Sequence, residues 1–541
     1  MTVPTPSSSS GWLTERRVVA LAALIILGHA VLGWLGRIPG VSYSNDDAVY
    51  LVLADALGQG TYRDLYLGSA PWHTQYPPGW PALLAVTGWI TGNSIPAAFV
   101  LVVLLSSVGL VAFFAGARRV LPDGLALVAL AAAAWSTAVL APAGRLMSEA
   151  AFFAASMVAL WALASPDVPK RRMILVLAAA LLAAHVRTIG LALLVAVAAI
   201  WFLARRWRRV GLATGVFFLG FGPWLAWTFF GPQKTLGRSY ATDLAAVLDQ
   251  SARQDHPLIA LLGRLAGKIG DLVGREIPAV LPFLRFRDSL ADNLAWVLVV
   301  LVCGGIGLGV LWRRWRVVPI YLVGYFSLLT VWTWSARRFL FPVQPLLWLV
   351  LLAGAWAVWQ RSRWAGGTLL ALLLVPVPLQ GWPQVASFVA TGVRCDRAHQ
   401  YESPTCYTPE QLGFFAAARY ARDSLPPGGA VLVDREAAFA WHSGRTVEHS
   451  IEWVLGVEPD QVLEGIRTAG VKYILLAALT PHDQVEMPVL LRPRCRELGV
   501  VRTFGEETVL LELRTDGSGN SCELLREMEE RARRDQEQPR R

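Results

Sequence analysis

Along positions 1–380, long apolar runs alternate with short breaks rich in arginine. About 20 predominantly apolar residues cross the hydrocarbon core of a bilayer. Runs at 18–36, 98–117, 124–143, 150–165, 210–230, 293–312, 317–334, 339–359 and 364–379 therefore read as membrane spans. The stretch 173–204 is too long for one helix and short for two. A single helix would put Lys170-Arg171-Arg172 and Arg205-Arg206-Trp207-Arg208-Arg209 on opposite sides, against the positive-inside bias. Two short helices that turn near Arg187 keep both clusters on one side. The pattern thus predicts about 11 spans, with Arg118-Arg119, Lys170–Arg172, Arg205–Arg209, Arg313-Arg314-Arg316 and Arg361/Arg363 all facing the same way. It also predicts a cytoplasmic N-terminus and an extracytoplasmic C-terminus in the inner or plasma membrane. Segment 79–92 is apolar but short and follows Pro77-Pro78, which suits an interfacial helix. The outer segments 37–95 and 231–292 are long, as expected of a site at the membrane surface.

The pattern changes near Arg394. Runs 429–434, 472–477 and 508–513 read as buried strands, and 409–424 and 459–469 as helices between them. The predicted fold class is mainly α: a polytopic membrane protein with a C-terminal extracytoplasmic α/β domain. Its parts are a disordered tail (1–15), a transmembrane domain (16–385), the α/β domain (390–523) and a charged C-terminal segment (524–541), helical or frayed.

Composition agrees. The 541 residues are 55% hydrophobic and 16% charged, with a mean hydropathy of +0.45. A soluble domain carries about 25% charged residues. The net charge of +10 is no nucleic-acid signal, because it sits in the short breaks between spans. Four of five cysteines (Cys395, Cys406, Cys495, Cys522) fall in the outer domain, an even number suited to disulfides in an oxidising compartment. Three connectivities are open, of which Cys395–Cys406 and Cys495–Cys522 are nearest in sequence; four free thiols are the alternative.

Ionisable groups at span ends are candidates for function. After the first span comes Ser44-Asn45-Asp46-Asp47-Ala48-Val49-Tyr50. Adjacent helical residues point about 100° apart, so one carboxylate can face a substrate while the other supports it. The competing reading makes Asn45 or Asp46 a helix cap. Tyr76-Pro77-Pro78-Gly79-Trp80-Pro81 is a rigid turn. Arg145 and Glu149, four apart, are either part of a site or an interfacial ion pair. Arg187 follows His185 at the predicted outer turn, where snorkelling is the bland alternative. Arg337-Arg338 places positive charge on the outer side, against the usual bias, and so points to a bound anion such as a lipid phosphate. Carboxylate base and guanidiniums together are the parts needed for group transfer from a phosphorylated lipid.

These residues resemble motifs of the GT-C superfamily of membrane glycosyltransferases, in particular its RgtA/ArnT/protein-mannosyltransferase-like group. Asp46-Asp47-Ala48-Val49-Tyr50 resembles the acidic motif of the first external loop, and Tyr76–Pro81 the Pro-Pro turn into a juxtamembrane helix. Arg145–Glu149 resembles the second external-loop motif. Arg187-Thr188-Ile189-Gly190-Leu191 resembles the basic-x-x-Gly-Leu turn. Arg337-Arg338-Phe339-Leu340-Phe341-Pro342 resembles an Arg-Tyr-x-x-Pro motif, with Phe339 where tyrosine is usual. The resemblance covers residues 15–380. It implies transfer of a sugar from a polyprenyl-phosphate donor to a glycan, lipid or protein acceptor, with inversion. Asp46 would be the general base and Asp47 a supporting carboxylate. Arg187, Arg337 and Arg338 would neutralise the leaving phosphate, with Arg145, Glu149, Tyr50 and Tyr76 in the substrate site. Some branches of the superfamily use a divalent metal; the lack of a second Asp-x-Asp motif argues against one here.

Two other classes compete. A lipid-linked-sugar flippase predicts charges buried mid-span and internal repeats, and neither is evident. An O-antigen-type ligase or polymerase shares the lipid carrier and relies on a large external loop with arginine and histidine; segment 231–292 has Arg238, Arg253, His256 and Arg264.

Overall fold

The computed structural model describes residues 14–41, 44–231, 256–281, 293–331, 337–397, 401–449, 459–480 and 482–537. The expected disordered tail lies almost wholly outside the described residues, as do Arg238, Arg253 and most of the second outer segment. The chain opens with α1 (Glu15–Leu35), α2 (Asn45–Gly58), α3 (Gly79–Thr91), α4 (Ile95–Ala117), α5 (Asp123–Ala134), α6 (Thr137–Ala143), α7 (Glu149–Ala162), α8 (Lys170–Val186) and α9 (Leu191–Leu203).

Six described helices are long and apolar enough to cross a membrane: α1, α4, Trp207–Phe230, Leu294–Arg314, Arg337–Trp359 and Arg363–Cys395. The pair α5–α6, bent by 56°, makes a seventh. The other segments expected to span are present as shorter helices: α7, α8, Thr188–Leu203 and Val317–Val331. The expected figure of about 11 therefore exceeds the number of full-length crossings among the described residues. The difference lies in helices that stop short at polar breaks. The clearest break is at Arg187, whose extended backbone (φ −149°, ψ 131°) ends α8; a 3-10 turn, Thr188–Gly190, then leads into α9.

Two helices form the centre. Almost every residue of α7 is buried, as are the first 12 residues of Gln344–Trp359. Alanine is frequent in α7, which lets α4 and α8 approach closely without a large polar cost. Outer helices such as α1 and α4 expose leucines and valines, as a lipid-facing surface requires. The buried His29 in this layer is paired: it lies 2.7 Å from the Ala134 carbonyl and 2.8 Å from the Ser106 hydroxyl.

The basic clusters converge at one end of the bundle. Arg118 pairs with Glu15 at 2.6 Å and Asp123 at 2.8 Å. Arg119 donates to the Trp161 carbonyl, Arg209 to that of Pro166 and Arg314 to that of Val120, while Arg206 pairs with Asp167. Arg119 satisfies a free carbonyl in the last turn of α7, and Arg209 and Arg314 tie down the connections that follow α7 and α4.

The other end carries a five-stranded sheet in the order β2-β1-β3-β5-β4. Strands β1 (Ala430–Val433), β2 (Val447–His449) and β3 (Val471–Leu476) are parallel; β4 (Leu498–Phe504) and β5 (Thr508–Leu513) form an antiparallel hairpin beside β3. Helices Pro409–Ser424 and Pro459–Thr468 fall where the sequence places them, and Cys522–Glu537 resolves the charged C-terminal segment as a helix. Cys395 is bonded to Cys406 and Cys495 to Cys522. The helix Trp382–Arg397 runs through the interval 385–390 between the two expected domains.

The sheet region packs on the first outer segment. Tyr66 and Val447 are joined by a backbone hydrogen bond of 3.1 Å, so that segment adds a bridge to the edge of β2. Tyr401 accepts a second bond from that segment: the Val41 amide donates to Tyr401 Oη at 2.7 Å. The Ala438 amide donates to Asn45 Oδ1 at 3.3 Å, one residue from Asp46.

Candidate active site

The site grows from helix ends at the sheet side of the bundle. Helix α2 starts at Asn45, after Ser44, which makes no side-chain cap bond. Asp46 makes no cap either. Its Oδ1 accepts from the Tyr76 hydroxyl at 3.0 Å and its Oδ2 pairs with Arg338 Nη1 at 2.8 Å. The capping alternative for Asp46 is thereby set aside. Asp47 turns the other way, is buried, and accepts from the Ala48 amide at 2.8 Å. The roughly 100° step between neighbours on a helix separates the two carboxylates.

Glu149, at the first turn of buried α7, sits between two cations. Arg338 Nε lies 2.6 Å and Arg187 Nη1 2.9 Å from its Oε1. Neither partner is Arg145, so the four-residue spacing does not mark an ion pair between those two. Arg187 also donates to the Ser148 hydroxyl at 3.1 Å, and Ser148 lies 3.2 Å from Tyr50 Oη. The Arg187 guanidinium stands 4.8 Å from the ring centroid of Phe339, in cation–π geometry. This gives Phe339 a role that needs no hydroxyl. Tyr50 and Tyr76 pack with ring centroids 5.0 Å apart.

The predicted set thus divides. Asp46, Tyr50, Tyr76, Glu149, Arg187 and Arg338 form one connected network. Asp47 adjoins it on the far side of α2. Arg337 points elsewhere and pairs with Glu276 at 3.1 Å. Arg145 lines a separate small cavity with Gly36, Gly144 and Phe388. His185 makes a core contact, its Nδ1 3.1 Å from the Leu181 carbonyl and its ring edge-on to Phe221.

One feature of the site carries no sequence motif. Asp64 and His73 are both buried and joined at 2.7 Å. The second ring nitrogen, Nε2, accepts from the Tyr76 amide at 2.8 Å, so Nδ1 carries the proton that Asp64 receives. Asp64–His73 therefore fixes Tyr76, whose hydroxyl in turn orients Asp46. Trp227 Nε1 donates to the His73 carbonyl at 3.1 Å and closes this support from the bundle side. The Pro77-Pro78-Gly79 turn is fixed by packing: a Cβ on Gly79 would lie 2.7 Å from the His185 carbonyl oxygen, so only glycine lets α3 start against the end of α8.

No group of three or more His, Cys, Asp or Glu among the described residues is placed to hold a metal ion. The two carboxylates of the network, Asp46 and Glu149, both turn to Arg338. The donor set fits guanidinium rather than a divalent cation.

No protein-family model matches this sequence, and no curated protein does. Solved structures do. The apo oligosaccharyltransferase of Archaeoglobus fulgidus matches with a TM-score of 0.56 at 12% identity, covering 91% of this chain and 74% of its own. ArnT from Cupriavidus metallidurans bound to undecaprenyl phosphate matches with a TM-score of 0.54 at 14% identity, over 95% of this chain and 100% of its own. The archaeal enzyme is also known in complex with an inhibitory peptide and a dolichol-phosphate, a match of TM-score 0.55 at 12% identity covering 88% and 72%. The chain has the GT-C fold, that of polytopic membrane glycosyltransferases. Within that fold the likeness to ArnT extends over nearly all of this chain and the whole of the other.

Proposed function

We propose that this protein is an integral-membrane glycosyltransferase that moves a sugar from a polyprenyl-phosphate donor to an acceptor hydroxyl on the extracytoplasmic side, with inversion at the anomeric carbon. The observation that carries this is the Asp46 carboxylate at the outer mouth of the bundle, oriented by Tyr76 and Arg338. A carboxylate acting as general base needs a fixed position within hydrogen-bond reach of the proton it takes. Asp46 accepts the acceptor's hydroxyl proton as the new oxygen–carbon bond forms. The bond from that carbon to the phosphate oxygen breaks, and its electron pair leaves with the polyprenyl phosphate.

Arg338 has two roles in sequence. Without donor it divides its N–H groups between Asp46 and Glu149. A donor phosphate competes for the same fork, which suits phosphate as it suits carboxylate. Engagement of the phosphate frees an Asp46 oxygen to accept a proton. Glu149 keeps Arg338 and Arg187 together despite their like charge. Arg337 is assigned a lesser role, because Glu276 holds it. Asp47 supports the turn, and Tyr50 links Ser148 to the network.

The orientation follows from charge. Arg118, Arg119, Arg206, Arg209 and Arg314 gather at the end of the bundle away from the site, which by the positive-inside bias is cytoplasmic. The N-terminus is then cytoplasmic, and residues 390–523 form an extracytoplasmic domain over the catalytic domain of residues 16–385. The polyprenyl phosphates named with ArnT and the archaeal enzyme favour a polyprenyl-phosphate carrier here.

The test is sugar transfer by membranes carrying the wild type or Asp46→Asn, offered a panel of labelled polyprenyl-phosphate sugars with and without chelator. Transfer by the wild type and a loss of about 10²-fold or more in the variant supports the base assignment. Normal transfer by the variant overturns it. A loss on chelation overturns the metal-independent reading.

A further inference from the structure

A cavity lies beside the network, not in it. Its volume is about 840 Å³, within the range that takes a small-molecule ligand. It runs between the C-terminal half of α2, the outer part of α3 and the Glu436–Ser443 helix of the sheet region. Three observations constrain its occupant.

The lining combines aromatic faces with neutral and acidic hydrogen-bonding groups. Trp441 is 40% exposed and Trp89 is 89% exposed, and both line the groove; Asp55, Gln59 and Asn93 lie beside them. An aromatic face stacks on the C–H face of a sugar ring while carboxylate and amide groups bond its hydroxyls, a use of the amphipathic ring that an acyl chain does not need.

The charge is wrong for a phosphate. Asp55 and Arg445 are the only ionic groups in the lining. The Arg445 guanidinium is held by the carbonyls of Ala421, Leu425 and Pro426. Asp55 accepts from Gln59 Nε2 at 2.8 Å. The two charges cancel, and the one guanidinium is already taken up by three carbonyls, so the described lining suits a neutral polyhydroxyl ligand better than the anionic head of the donor.

The groove shares a helix with Asp46. Leu51 and Asp55 of α2 line it, and Asp46 lies in the first turn of that helix. Tyr66 lines it too and is buried, and burial with the nearby Asp64 carboxylate raises its hydroxyl well above the ordinary range. The opposite end reaches α3, whose exposed Val86, Trp89 and Ile90 suit the membrane interface.

We propose that this groove binds the saccharide part of the acceptor, a neutral oligosaccharide, with Trp441 as stacking platform and Asp55 and Gln59 as hydroxyl partners. The proposal rests on the transferase reading of Asp46 and names its acceptor class.

The test uses the full-length protein in lipid nanodiscs and a panel of neutral tri- to hexasaccharides, read by saturation-transfer NMR and tryptophan fluorescence. Two variants address the groove. Trp441→Ala removes the platform. Gly58→Trp fills the groove from a helical position where a Cβ meets nothing within 4 Å, so it needs no backbone shift. One saccharide class is expected to bind the wild type and Asp46→Asn alike, and each groove variant about tenfold or more weakly. Absence of binding by every panel member, or equal binding by all variants, overturns the saccharide assignment. Displacement of the saccharide by a short polyprenol overturns it in favour of a lipid. Saccharide binding without transfer by the wild type would overturn the transferase reading and leave the groove standing. Donor hydrolysis by the wild type with equal saccharide affinity in all variants would do the reverse.

Discussion

Arginines gather at both ends of this bundle, and they do different things. At the basic end Arg119, Arg209 and Arg314 donate to main-chain carbonyls at or just beyond helix ends, and Arg118 bridges Glu15 and Asp123. At the sheet end Arg187 and Arg338 bond side-chain carboxylates, and one of those, Glu149, is 3% exposed. A guanidinium on a helix-end carbonyl completes a structure that is already closed. A guanidinium on a carboxylate that another ligand can replace is available for exchange. Residue type does not separate the two ends; the carboxylates that Arg118 and Arg206 meet, Glu15 and Asp167, are exposed, whereas Glu149 is buried.

The sharpest way to break this contrast is at Asp46. Asp46→Asn keeps a partner for Tyr76 and loses the base, so transfer is expected to fall about 10²-fold or more with little change in thermal stability. Glycosyl transfer in isolated membranes, normalised to folded protein, measures it. Arg338→Lys comes next. Lysine keeps the charge but cannot bond Asp46 and Glu149 through one planar fork. A loss of about 10–10²-fold in transfer is expected, larger at subsaturating donor because the phosphate contact is weakened. An Arg338→Lys protein as active as wild type would place Arg338 with the structural arginines instead.

Arg314→Ala tests the other end. It removes a charged donor from the Val120 carbonyl at 2.8 Å, a bond of about 1–2 kcal/mol where partly exposed. The detergent-solubilised protein is expected to melt about 1–2 °C lower, in keeping with the size dependence of such shifts. Transfer per folded molecule should not change. A selective loss of transfer would mean that the basic end also touches substrate.

Much of this arrangement is legible in the sequence because it depends on one-dimensional signals. The break at Arg187 follows from charge clusters that had to share a side, and strands β1, β3 and β5 follow from uninterrupted apolar runs. The pairing of cysteines follows from short loops. What sequence did not reveal is angular. Arg337 and Arg338 are neighbours, and only the register of one short helix decides that Arg338 meets Glu149 while Arg337 meets Glu276. The same step separates Asp46 from Asp47. Asp64 and His73 are nine residues apart in an irregular loop and share no periodicity, so nothing before folding joins them. Strand β2 has three residues and is completed by the Tyr66–Gly68 segment from the other end of the chain, a pairing that no local pattern encodes. At the opposite edge of the sheet, β4 mixes polar and apolar residues and carries a register shift between Val500 and Arg502, which blurs its alternation.

The smallest effect comes from a carboxylate with no guanidinium bonded to it, and it extends the contrast from cations to anions. Asp483, in the sheet region, is buried beside Asp434, and burial together with that like charge pushes its carboxyl up to about 8. Its Oδ2 accepts from the Ala477 amide at 2.8 Å, at the end of β3. The folded-state value lies above the unfolded value of about 3.9, so the folded region binds the extra proton. Stability from this group is complete below the unfolded value and is lost as pH rises through the folded one, at most about 1.4 kcal/mol per pH unit. Hydrogen exchange at the β3 amides of the full-length protein, corrected for intrinsic rates, is therefore expected to show protection falling from about pH 5 to pH 8. Asp483→Asn keeps the acceptor for Ala477 and removes the proton, so its protection should be flat over that window and its transfer unchanged. A wild-type profile that is already flat would mean that Asp483 is ionised in the fold, stabilised like Glu149 by a charge that the sheet region brings to it.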